Sequence, residues 1–383
     1  MNSPAISRDA GLDALLCTTL AEASLSRDVT HEGLDALWER ARLHDVDVLM
    51  AAILSRLAKQ IPATVHQQAT SRFAEAELRD LLRYRELCRI TASFAAEAVD
   101  VLLLKGAGLA YIVYPEPCFR PSRDIDLFIR REARDAAERA LSACGYTRQR
   151  EPDGELARAQ RQYARADGSG INHFVDLHWR VSNTRLFADA LSFDEAWSSS
   201  TAVSAIDPPA RTLGVADALL LACIHRVAHH QDALDLLWLW DIHLLAGGLT
   251  AETGEAFVSR AERTRMRAVS VRGLELARDR FGTRIAADVL ARLKTAGPVE
   301  PTARFVGGHL RMIDVVRADL GTTGRWRDRA TLLGEHLFPS REYMRAIYTQ
   351  CPSVLLPIAY VDRIVRGAPK WFRRPPSSGA SSG

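Results

Sequence analysis

Arg120-Pro121-Ser122-Arg123-Asp124-Ile125-Asp126-Leu127-Phe128-Ile129 is the stretch on which the reading of the whole chain turns. Its first residues, with Pro115 and Pro117 just upstream, make a loop. From Asp124 polar and apolar residues alternate, as a half-buried strand requires. Two carboxylates at i and i+2 of a strand point to one face, while Ile125 and Leu127 bury the other. Such a pair can hold divalent cations about 3.5–4 Å apart, the arrangement used in phosphoryl and nucleotidyl transfer. The spacing alone is common, and Asp45-Val46-Asp47 repeats it. That second pair opens a helical run, Val48 to Leu54, where aspartates cap free N–H groups and favour the helix dipole. It reads as structural.

The strand has company on both sides. Upstream, Val101-Leu102-Leu103-Leu104 is an apolar run ended by Lys105-Gly106, a buried strand stopping at a tight turn. A short helical stretch to Tyr114 follows. Downstream, residues 131–143 are helix-like and end at Gly145, the polar segment Asp153 to Gly170 suits a hairpin or flexible loop, and Phe174-Val175-Asp176-Leu177-His178-Trp179 restores a strand. Helical periodicity fills the flanks: Ala10 to Val99 before this region, and Val215 onward after it. The chain therefore divides into a helical unit over 1–99, an α/β core over 100–210, a second helical unit over 211–374 and a Ser/Gly-rich, disordered tail over 375–383. The fold class is α+β.

At 383 residues, two or three packed units are expected. Hydrophobic content of 47%, charged content of 25% and a net charge of +3 describe a globular protein and do not demand nucleic acid. Four lysines stand against 46 arginines, so Lys105 at a potential phosphate site stands out, because ammonium and guanidinium are not interchangeable there. Six scattered cysteines with no Cys-x-x-Cys pair indicate neither a zinc ribbon nor a disulfide scaffold, and fit a reduced cytoplasmic compartment. No apolar run approaches the ~20 residues of a membrane span, so no transmembrane segment is expected.

Together, Leu104-Lys105-Gly106, Tyr114-Pro115, Arg120 to Leu127 and Val175-Asp176-Leu177-His178-Trp179 resemble the uncharacterised nucleotidyltransferase family of bacterial proteins, a branch of the DNA polymerase β-like superfamily. The similarity continues through His225-Arg226-Val227-Ala228-His229 and Leu237-Trp238-Leu239-Trp240-Asp241-Ile242, covering most of residues 70–250. The resemblance implies a polymerase β-like core with a small mixed sheet. It implies Asp124 and Asp126 as the paired metal ligands, Asp176 as the third carboxylate on a neighbouring strand, Mg²⁺ (or Mn²⁺) as cofactor and a nucleoside triphosphate (NTP) as substrate. Gly106 falls where the superfamily has a Gly-Ser pair whose backbone N–H groups meet the triphosphate. Ala107 stands in the serine's place and Gly108 follows. Lys105 would supply positive charge instead, or is a strand-end lysine in solvent. Ser122 and Arg123 complete the expected nucleotide-binding set.

Other residues are open. Arg120 and Arg123 would neutralise phosphate or orient the carboxylates, or are surface residues. His225 and His229 share a helix face at a spacing that can bind zinc, but a packed histidine face, or a supporting role beside the site, is the better reading. His178 shares a face with Asp176 and would line the cleft. Trp238 and Trp240 read as core residues. The basic segment Tyr360 to Arg374 would touch RNA or an anionic membrane, or is solvated. The activity so implied moves a nucleotidyl group to an acceptor hydroxyl on a small molecule, a protein or an RNA end. A non-catalytic nucleotide-sensing or partner-binding protein of the same fold is the alternative, and the oligomeric state is not legible.

Overall fold

Stretches free of Pro, with apolar residues at helical spacing, form helices on both sides of the sheet. The computed structural model describes residues 4–373 except 27–28, 153, 169, 296, 309 and 350–351, so the expected disordered tail at 375–383 lies outside the described residues. Four helices come first: α1 (Pro4–Glu22), α2 (His31–Leu43), α3 (Asp47–Leu54) and the 34-residue α4 (Ala63–Ala96). The central region runs β1 (Leu102–Leu103), α5 (Lys105–Ile112), β2 (Ile125–Phe128), α6 (Arg134–Ala143), β3 (Thr147–Arg148), β4 (Gln160–Ala166), β5 (Asn172–His178), the short α7 (Arg185–Ala188) and α8 (Phe193–Ser198), β6 (Thr201–Val203) and β7 (Ala210–Thr212). Then come α9 (Val215–His230), α10 (Leu236–Gly247), α11 (Ala251–Arg263), α12 (Arg267–Phe281) and α13 (Ala287–Leu293). The last four are α14 (Met312–Thr322), α15 (Trp326–Leu337), α16 (Arg341–Ile347) and α17 (Leu356–Phe372).

The seven strands form one mixed sheet in the order β3-β4-β5-β2-β1-β7-β6. β2 pairs in parallel with β5 and antiparallel with β1, which places the central carboxylate strand between two others. Alternation divides its residues. Ile125, Leu127, Val175 and Leu177 join Leu87, Ile90 and Phe94 of α4 and Ala137 and Leu141 of α6 in one core. Their neighbours Asp126, Asp176 and His178 face the opposite side.

The polar segment before β5 is the hairpin arm β4, paired antiparallel over its whole length with β5. Strands β3, β6 and β7 were not legible: two or three residues each, they carry too little pattern for periodicity to reveal. β7 straddles the 210/211 boundary drawn from the sequence and pairs in parallel with β1. Residues of α1–α4 and of α9–α13 share one hydrophobic core, with Leu16, Leu37, Leu239 and Leu274 all fully buried in it. Among the described residues no helix is long and apolar enough to cross a membrane, and Cys17, Cys88, Cys118, Cys144 and Cys223 are free thiols.

Candidate active site

Parallel pairing sets Asp126 opposite Asp176 and Phe128 opposite His178. Residues paired this way project from the same face, so the two aspartates, 50 positions apart in the chain, meet. Oxygen atoms of Asp126 and Asp176 and a ring nitrogen of His178 lie within 4.8 Å of one another, and all three residues are buried. Asp124 sits one step before β2, half-buried at the edge of the group.

Buried carboxylates need partners, and each has them. Lys105 Nζ donates to Asp126 Oδ1 at 2.6 Å, and His178 Nε2 lies 2.7 Å from the same oxygen. From β4, Gln160 Nε2 donates to Asp176 Oδ2 at 2.7 Å and Gln162 Nε2 to Oδ1 at 3.2 Å. Burial works against the charge of Asp126, but Lys105 and then His178 outweigh it and hold the carboxyl well below its ordinary range. Asp176 has only neutral amide donors in direct contact, and burial pushes it up to about 6. Burial and the neighbouring Asp126 raise Asp124 as well. For Lys105, burial alone would favour the neutral amine, yet Asp126 carries the net shift upward and keeps it an ammonium.

The backbone makes this placement possible at a cost. β1 passes directly into α5, and Lys105 takes φ +45°, a left-handed conformation that costs a non-glycine residue roughly 1–2 kcal/mol. Strain of this kind collects at functional sites. The positive φ of the Lys105-Gly106 turn falls on Lys105 and not on the glycine. The missing side chain of Gly106 serves packing: a Cβ there would stand 3.1 Å from both Arg120 Nη1 and Ser122 Oγ. Gly108 is likewise turned toward the fold, where a Cβ would overlap Thr212 Oγ1 on β7. A Gly106→Val chain should therefore displace the 120–124 loop, weakening NTP-dependent thermal stabilisation at least about tenfold in affinity while costing about 1–3 kcal/mol of stability. Unchanged affinity would mean that the loop takes no part in binding.

That loop is held from behind. Arg120, read as a phosphate or carboxylate partner or a surface residue, is buried in a two-pronged pair with Asp241 of α10, both contacts at 2.8 Å, and Tyr114 Oη donates to Asp241 Oδ1 at 2.6 Å. It latches the loop at the cavity wall, where Arg120 and Asp241 are both lining residues. Arg83 of α4 donates to the carbonyls of Pro117 and Arg120 at 3.0 and 2.9 Å. Ser122 Oγ donates to the Asp124 carbonyl at 2.9 Å and lies 3.3 Å from its carboxylate, orienting that aspartate. Arg123 is 89% exposed and reaches Asp45 at 3.4 Å.

Asp124 and Asp126 open onto a cavity of about 550 Å³, within the range of small-molecule sites. Its lining includes Lys105, Arg72 and Arg83 of α4, and Trp238 with His230. Asp45 and Asp47 border this cavity too, and Asp47 stands in the first turn of α3, as a helix-start aspartate should. Val46 holds the N-cap position without a side-chain bond, and Asp47 pairs with Arg72 at 2.5 Å. Trp238 is half-buried and turned to the cavity, with His230 packed on it at 3.8 Å between ring centroids. Trp240 packs on Phe281 as core. His225 and His229 are part of the same ledge, their rings 5.4 Å apart. Burial, then Lys105, pushes His229 down to about 3 and His230 to about 4, so both are neutral at pH 7.

A family model described as an uncharacterised nucleotidyltransferase matches residues 30–282, which contain every element lining this cavity. The chain belongs to that family. No match was found among curated proteins. The family match begins well before the motifs read from the sequence, taking in α2 to α4 and so the arginine wall contributed by α4. In this member of the nucleotidyltransferase family, α13 to α17 lie beyond the matched region.

Sequence reading missed Gln160 and Gln162 as partners of Asp176, within a segment read as a hairpin or flexible loop whose hairpin arm β4 carries them. It also missed Asp241 as the partner of Arg120, and Arg72 and Arg83 as cavity walls, for which long-range contact is the only signal.

Proposed function

We propose that this chain is a metal-dependent nucleotidyltransferase that moves a nucleotidyl group from an NTP to an acceptor hydroxyl. The reading is carried by the register that sets Asp126 beside Asp176 on a buried face, with Asp124 adjoining. The donor set fits Mg²⁺ or Mn²⁺, for which carboxylate oxygens are the preferred ligands. The Lys105 ammonium against Asp126 marks the spot as one built for positive charge. Asp124, Asp126 and Asp176 would hold the ions, and His178 would orient Asp126 through its hydrogen bond. Bound metal would supply charge neutralisation of the phosphates and activation of the acceptor oxygen.

The chain's own residues do the rest. Lys105 balances the carboxylates and is the cation positioned to meet phosphate. Gly106 and Ser122 shape the loop that carries Asp124, while Arg123, exposed at the mouth, and Arg72 and Arg83 add positive charge along the cavity. Trp238 offers a flat face on which a base can stack. Asp176, with its raised proton affinity, is the carboxylate suited to accept the acceptor's proton. The acceptor class stays open among a small molecule, a protein side chain and an RNA end. A non-catalytic nucleotide sensor predicts the same binding without transfer.

The test is thermal stabilisation by each NTP with and without Mg²⁺ or Mn²⁺, followed by transfer of labelled nucleotide. A ligand at about 100 times its dissociation constant adds about 2.7 kcal/mol. Metal-independent binding, or none, would overturn the proposal. pH gives a second signature. Asp176 is raised from 3.8 to about 6, so the metal-free fold binds extra protons between about pH 4 and 6, and this group's contribution to stability is lost as pH rises through that window. Metal must displace the same proton. Metal-dependent stabilisation is therefore expected to shrink as pH falls through about 6, and Asp176→Asn should abolish both trends while leaving the metal-free protein at least as stable as wild type at pH 7. A flat pH profile in the wild type would remove Asp176 from the metal site.

A further inference from the structure

The last helix, α17, has a solvent face that is apolar. Leu356 and Ala359 turn inward onto Met344. On the other side Ile358, Val361, Val365 and Phe372 recur at steps of three, four and seven, each between 60% and 65% exposed. Placed at 100° per residue, these four fall within about 60° of one another and nearly opposite the inward pair. An ordinary surface helix shows polar residues there. A continuous exposed apolar stripe marks an interaction surface.

Charge identifies the partner. Between 354 and 373 the chain carries Arg363, Arg366, Lys370 and Arg373 against the single acid Asp362, which Arg366 and Tyr348 Oη already engage at 2.7 and 2.9 Å. Arg363 turns inward to the carbonyls of His336 and Leu337. Lys370 and Arg373 are exposed and have no acidic partner among the described residues. Residues 354–373 thus carry a surplus of three positive charges, equal to the formal net charge of the entire chain. An apolar stripe with basic residues on its flank is the form of a helix that lies in a membrane interface, apolar side down, with its cations at anionic headgroups.

We infer that α17 docks the protein on an anionic lipid surface, lying along it without crossing it. The stripe is remote in sequence from every cavity residue, so this inference stands apart from the proposed activity.

The experiment is flotation of the full chain with vesicles of phosphatidylcholine alone and of phosphatidylcholine mixed with phosphatidylglycerol, together with sedimentation velocity in the absence of lipid. Wild type should float with the mixed vesicles only, and less so as salt rises. Lys370→Gln with Arg373→Gln should weaken binding by about fivefold for each charge removed. Val361→Ser with Val365→Ser should weaken it at least about tenfold. Both variants change exposed side chains, and their thermal unfolding midpoints without ligand should be as in wild type, which verifies their folding. Absence of flotation overturns the inference. So does equal binding to uncharged vesicles, or a dimer in sedimentation that the serine variant dissolves, which would assign the stripe to a second copy of the chain.

Discussion

Asp126→Asn is expected to lower stability by about 3–5 kcal/mol, the scale of stripping one partner from a buried ion pair, and to reduce nucleotidyl transfer on the order of 10³-fold or more. Two roles coincide in this carboxylate. It is the counter-charge for Lys105 and the hydrogen-bond partner of His178, both on Oδ1, and it is the central member of the proposed metal site. From the strand pattern alone such an aspartate would add little stability, and its loss would leave the fold intact. The buried lysine changes that, because an ammonium left without its partner is more costly than the pair was. Denaturant midpoints and metal titration separate the roles. Adding Lys105→Met to Asp126→Asn should recover much of the stability without restoring metal-dependent NTP binding. If the single variant is as stable as wild type and still binds metal and nucleotide, the site lies elsewhere.

Asp241→Ala is expected to cost a similar ~3–5 kcal/mol, although this aspartate does not border the carboxylate group. It leaves the buried Arg120 guanidinium unpaired and removes the acceptor for Tyr114 Oη. Because Arg120 begins the loop that ends in Asp124, nucleotide affinity should fall with stability. A conservative contrast is Asp241→Asn, which keeps an acceptor and should retain more of both. Thermal unfolding with and without NTP measures the two together, and a loss below about 1 kcal/mol for Asp241→Ala would mean that Arg120 relaxes into solvent and does not latch the loop.

The carboxylates were legible because their chemistry is written locally. Alternation around Asp124-Ile125-Asp126 and Val175-Asp176-Leu177 states both that these are strands and which side chains share a face, and the long helices announce themselves by apolar periodicity. Lys105 was legible as an oddity, one of four lysines placed at a strand end. Its partner was not, nor was its positive φ, because strain at a single residue is sustained by the surrounding packing and leaves no mark in composition. Arg120 shows the same limit in reverse. Next to the acidic pair in sequence, it was read as a phosphate or carboxylate partner or a surface residue, yet the fold buries it against Asp241, 121 residues on.

What the sequence alone determined is thus the long helices, the strands that carry Asp126 and Asp176, and the family, since strand and helix periods and short motifs are properties of neighbouring residues. Only the tertiary structure decided which edge β5 pairs with, and in what register, so that Asp176 meets Asp126 and not solvent. It alone brought α4, α5 and α10 around the sheet to enclose one cavity, with Asp45 and Asp47 at its border and Gln160 and Gln162 on Asp176. The physical reason is that pairing register and helix docking minimise the free energy of the whole buried surface, a sum over distant residues that no window of the chain contains.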